Sequence, residues 1–97
     1  MTNAPFADDQ VFEKVASVRY RNLGDEAVVV EQEAGEMLVL NEAGAIVMDL
    51  AAGGASVAEI QDGLRQAFGI DKERAADDAQ TFLTTLLEAG ILRVKVD

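Results

Sequence analysis

The chain has 97 residues, 49% hydrophobic and 27% charged, a balance that suits one soluble domain with a modest core and excludes a disordered polymer. Eighteen acidic against eight basic residues give a formal charge of −10, which repels phosphate backbones and disfavours a nucleic acid partner. Without histidine or cysteine, the usual general base, the thiol nucleophile, disulfides and nearly all transition-metal sites are excluded.

Residues 1–15 carry Pro5, Phe6, Asp8 and Asp9 with no sustained period, and read as a mobile N-terminal arm with a short packed piece around Val11 and Phe12. The domain itself is expected over 16–97. Val18 and Tyr20 alternate with Arg19 and Arg21, the period-2 pattern of a half-buried strand. Gly24-Asp25 supplies a turn, and the β-branched run Val28-Val29-Val30 marks a second strand with central character. After a turn at Gly35, Met37 to Leu40 returns as a short third strand, which completes an antiparallel meander.

Three helices follow. Asn41 caps the first, whose stripe is Ala43, Ile46, Val47 and Leu50, and Gly53-Gly54 stops it. Ser56-Val57-Ala58-Glu59 is a capping box opening the second, with Val57, Ile60, Leu64 and Phe68 on one face and Gly69 at its end. Asp71 opens a longer third helix with Ala75, Ala79, Phe82, Leu83 and Leu86 on one face, and Gly90 follows it. Ile91 to Val96 alternates again, as a closing strand or an extended tail. Strands followed by helices, without βαβ alternation, give an α+β class: a winged-helix-like arrangement of a three-stranded antiparallel sheet followed by three helices.

No catalytic constellation emerges. Asp77-Asp78 and Asp8-Asp9 are adjacent acids that do not share one helix face, Glu31, Glu33 and Glu36 lack the spacing of a calcium loop, and Ser56 has no basic partner. No metal or cofactor is expected, and the protein reads as non-enzymatic. A winged-helix DNA-binding domain or another protein-interaction domain is the alternative, but DNA contact is disfavoured because the third helix carries Asp71, Glu73, Asp77 and Asp78 against Lys72 and Arg74. No apolar run reaches the roughly 18–20 residues of a membrane span, and the N-terminus lacks the pattern of a secretory signal, so the expected location is the cytoplasm. Binding remains: a short apolar strand at a sheet edge offers unpaired N–H and C=O groups to an incoming strand, unless the strand is central or the terminal segment caps it.

Leu38-Val39-Leu40-Asn41-Glu42-Ala43-Gly44-Ala45, then Leu50 and Ser56-Val57-Ala58-Glu59-Ile60, resembles the PqqD-like family. So does Asp78 with Phe82, Leu83 and Leu86, followed by Gly90-Ile91-Leu92. The likeness spans Val18 to Leu92. The resemblance implies a RiPP precursor-peptide recognition element, a peptide-chaperone-like module that takes the leader segment of a ribosomally made precursor as an added strand. It then presents the precursor to a modifying enzyme such as a radical-SAM enzyme or a leader peptidase. Carried onto this chain, the receiving strand is Glu36, Met37, Leu38, Val39 and Leu40. The flanking face of the third helix would be Arg74, Asp78, Thr81 and Thr85, with Ala76, Gln80 and Leu87 as the opposite choice. An open edge also admits a second copy, giving a homodimer. Gln32-Glu33-Ala34-Gly35 and Gly53-Gly54-Ala55-Ser56 depart from the turns common in members serving pyrroloquinoline quinone synthesis. The quinone, lasso-peptide and other RiPP systems therefore all stay open.

Overall fold

The computed structural model describes residues 6–96. Four strands lead: β1 (Phe12–Lys14), β2 (Val18–Leu23), β3 (Glu26–Glu31) and β4 (Glu36–Leu40). Helices α1 (Glu42–Ala52), α2 (Val57–Phe68) and α3 (Lys72–Glu88) follow, and β5 (Leu92–Val94) closes the chain. The meander and three helices match the architecture expected from the sequence. β2, β3 and β4 form an antiparallel sheet in that order, with Val18 opposite Glu31 and Val29 opposite Leu38. Gly24 and Gly35 make its two turns at φ of 65° and 70°, a left-handed conformation that costs glycine least.

Within the N-terminal segment, the short piece expected around Val11 and Phe12 is packed. Residues 1–5 lie outside the described residues, but Phe12 is only 1% exposed and meets Phe6 edge to face at 5.2 Å. The backbone carbonyls of Gln10 and Asp8 accept from the N–H groups of Val57 and Ala58, which otherwise have no partner at the start of α2. The packed body therefore begins ahead of residue 16. The closing segment pairs with this piece rather than with the larger sheet: β5 runs antiparallel to β1, Phe12 opposite Val94.

α1 is the central element, in contact with β1, β3, β4, α2 and α3. Its buried residues are Gly44, Ala45, Val47, Met48 and Ala51, whereas Ile46 and Leu50 of the expected stripe are half-buried. One apolar stripe cannot describe a helix covered on most sides, which is why Met48 escaped the periodicity. Two glycines permit the close packing. A Cβ on Gly63 would stand 2.6 Å from Leu50, and one on Gly44 would stand 2.8 Å from the ring of Phe82 and 3.2 Å from Leu40. α1, α3 and the end of β4 therefore converge at Gly44.

Candidate functional site

β4 is an edge strand among the described residues, paired to β3 and with no neighbour on its other side. Successive residues of an antiparallel strand direct their N–H and C=O groups to opposite sides, so alternate members of Glu36–Leu40 present theirs to the free edge. Side chains alternate between the faces. Leu38 and Leu40 turn toward the core, partly and almost fully buried, while Met37 and Val39 are 65% and 60% exposed.

Both ends of β4 are held. At its start, Glu31 lies 8% exposed beneath the β3–β4 turn. Its carboxylate accepts from the Ser17 hydroxyl and from the N–H groups of Ala34 at 2.6 Å and Glu33 at 3.2 Å. The Ser17 hydrogen bond, then the Ala34 N–H, holds this carboxyl below the usual carboxylate range. At its end, the Asn41 side chain accepts from the N–H of Gly44 at 2.9 Å, so the chain leaves the extended state and enters α1. The strand is five residues long because a turn and a cap bracket it.

Beyond Leu40 an open concavity of about 330 Å³ is lined by Asn41, Glu42, Ala43, Phe68, Ile70, Arg74 and Asp78. The lining mixes apolar Ala43, Phe68 and Ile70 with polar side chains, among them Arg74 and Asp78, 3.9 Å apart one turn along α3. Four of these lining residues belong to the elements singled out in the sequence: Asn41 and Glu42 at the joint, Arg74 and Asp78 on the third helix. Thr81 and Thr85 are exposed further along α3, the Thr85 hydroxyl donating to the Thr81 carbonyl at 3.0 Å. On the opposite flank Ala76, Gln80 and Leu87 are half-buried. The Gln80 amide atoms are shut off from solvent with no hydrogen-bond partner. The two candidate flanks thus differ, one exposed and polar, the other turned inward.

Sequence periodicity missed Phe68 and Ile70. Phe68 fits the α2 core stripe, yet it is 37% exposed because the helix ends there and the chain turns at Gly69 toward α3. A large aromatic one residue before a helix-stopping glycine was the available signal. Among the described residues no three acidic side chains cluster to hold a metal ion. Likewise, no helix there is long and apolar enough to cross a membrane.

The family model for coenzyme PQQ synthesis protein D (PqqD) matches residues 26–92. Three solved structures share the fold. TbiB1 in complex with the TbiA(beta) leader peptide superposes with a TM-score of 0.79 at 22% identity, covering 88% of this chain and 99% of that one. Lasso peptide synthetase B1 complexed with the leader peptide gives 0.76 at 21% identity, covering 84% and 96%. The PqqD truncation of Methylobacterium extorquens PqqCD, described as a functional, stand-alone RiPP recognition element, gives 0.73 at 22% identity, covering 93% and 96%. No curated protein is a significant match to this chain.

Proposed function

The chain belongs to the family of coenzyme PQQ synthesis protein D (PqqD), and from that membership we propose that it is a non-catalytic module that binds the leader segment of a ribosomally synthesised precursor peptide. The observation that carries this reading is the apolar edge of β4, unpaired among the described residues and bracketed by the Glu31-held turn and the Asn41 cap. A leader would join as a further strand, its backbone bonding to Glu36–Leu40 and its alternate side chains falling on the two faces of the sheet. One set continues the row of Met37 and Val39. The other faces the α3 side, where Arg74, Asp78, Thr81 and Thr85 flank it and the concavity at Phe68 and Ile70 takes an apolar side chain at the strand's end.

Two of the three structural relatives are described as leader-peptide complexes, which supports this occupant. Glu42, Asp71, Glu73 and Asp77 surround the Arg74–Asp78 pair, so a leader with basic residues beside its apolar ones is the better electrostatic match. The module works with a modifying enzyme that acts on the rest of the precursor, such as a radical-SAM enzyme or a leader peptidase, in the cytoplasm where precursors are made. The DNA-binding alternative is disfavoured by the acidic exposed face of α3.

Amide chemical shifts of the labelled protein, followed as a synthetic cognate leader is added, test the reading. Glu36 to Leu40 and the Arg74, Asp78, Thr81 and Thr85 flank should move together. Shifts confined to exposed residues of α1 and α2 would overturn it.

A further inference from the structure

We propose that the outward face of the three-stranded sheet is a second docking surface, taken by a protein surface with an apolar centre bordered by carboxylates. Resting on the peptide-binding reading, the owner of that surface is the enzyme that acts on the bound precursor.

An antiparallel sheet with one face in solvent alternates apolar-in and polar-out, whereas strands covered on both faces are continuously apolar. β3 follows the second pattern with Val28-Val29-Val30. Val29 is fully buried, so Val28 and Val30 turn outward, and register places Val39 opposite Val28 and Met37 opposite Val30. Leu23, 53% exposed, extends the patch. The core residues Ala27, Val29 and Leu40 occupy the other face, against α1. The sheet is therefore suited to two covers, and the described residues supply one.

Charge selects the second cover. Arg19 lies opposite Val30 and Arg21 opposite Val28, so both arginines border the apolar centre on a chain of net charge −10. Among the described residues neither is in an ion pair, unlike Arg74 and Arg93. The Arg19 guanidinium donates only to main chain, the carbonyls of Ala16 at 3.0 Å and Val18 at 3.1 Å. Edge protection explains charge on β2, but it does not explain apolar side chains facing outward from β3 and β4. A second copy packed face to face would bring the same arginines and no matching row of carboxylates. A peptide strand added at β4 would lengthen this same face, so a partner seated there touches the domain and the peptide together.

The test measures two affinities for each variant: that of the precursor-modifying enzyme encoded beside this chain, with leader present, and that of a fluorescently labelled leader. Arg19→Glu with Arg21→Glu should weaken enzyme binding by about tenfold or more and leave leader affinity unchanged, while the double lysine variant retains enzyme binding. Enzyme binding by the wild-type chain should also weaken as salt rises. Val28→Lys, outside the β4 edge, should act in the same direction as the double glutamate. Enzyme affinity untouched by charge reversal, or no enzyme binding by the wild-type chain, would overturn the proposal. So would a wild-type dimer in sedimentation that reversal dissociates, because a second copy would then be the cover. A wild-type chain that fails to bind the labelled leader instead overturns the peptide-binding reading.

Discussion

β2 and β4 flank the same central strand, yet β2 carries Arg19 and Arg21 among its six residues whereas β4 carries one charge, Glu36, at its first position. Charged side chains on an edge strand discourage a further strand from adding, because pairing brings an incoming chain against solvated groups. β2 also lies against α1: burial of Tyr20, then the negative charge of Asp49, raises its phenol pKa above the ordinary value. Asn22 reaches the same carboxylate at 3.4 Å. β4 has neither guard, and it opens beside the concavity at Phe68 and Ile70. The difference teaches that an open edge is not by itself a site. Here the edge whose only charge is Glu36 at its start, next to a shaped concavity, is the one we propose receives a strand.

Neighbouring prolines give the largest way to break the comparison. Of Leu38→Pro and Val39→Pro, one removes a ladder donor to β3 and lowers the melting temperature sharply. The other removes an edge donor, keeps the circular dichroism spectrum and weakens leader binding by about ten- to a hundredfold, the cost of one lost backbone hydrogen bond. Retained affinity in the folded variant would argue against strand addition at β4.

Val39→Lys transfers the guard of β2 onto β4. It should weaken a basic leader by about tenfold through like-charge repulsion while the fold stays intact, since the position is 60% exposed. Fluorescence anisotropy with a labelled leader reads the loss. The converse change, Arg19→Val with Arg21→Val, removes the guard from β2. Sedimentation should then show self-association at concentrations where the wild-type chain does not associate. An unaltered sedimentation profile would mean that the arginines do not protect that edge.

The smallest effect concerns the turn that introduces β4. The Glu31 carboxyl is held below its ordinary pKa in the folded chain, so the stability it contributes is present above the unfolded value of about 4.3 and is lost as pH falls through the folded value. Melting temperature recorded against pH should decline on that acid limb. Glu31→Gln should lower the melting temperature modestly near neutrality and flatten the limb. An unchanged limb would assign acid sensitivity to other carboxylates.

Much of the architecture was legible because local rules carry it. Asn41, Ser56 and Asp71 cap the three helices as their side-chain chemistry dictates, and Val18 to Leu40 fold as a meander because alternation and two glycine turns agree. The buried face of α2 followed its stripe through Val57, Ile60 and Leu64. The N-terminal segment was legible only as a short packed piece around Val11 and Phe12, not as a strand with a partner. Phe12 sits in a stretch without period, and its place in the core depends on β5, at the other end of the chain, and on carbonyls that meet the start of α2.

The amino-acid order alone thus determined the three-stranded meander and the three helices with their caps, and that the chain carries no histidine or cysteine. These properties depend on neighbours a few residues apart. Only tertiary structure decided that β5 pairs with β1, that Phe68 and Ile70 meet Arg74 and Asp78 beside β4, and that among the described residues β4 stays open and the outward face of β3 lacks a cover. Those facts turn on which distant surfaces exclude water together, and no local pattern encodes that choice.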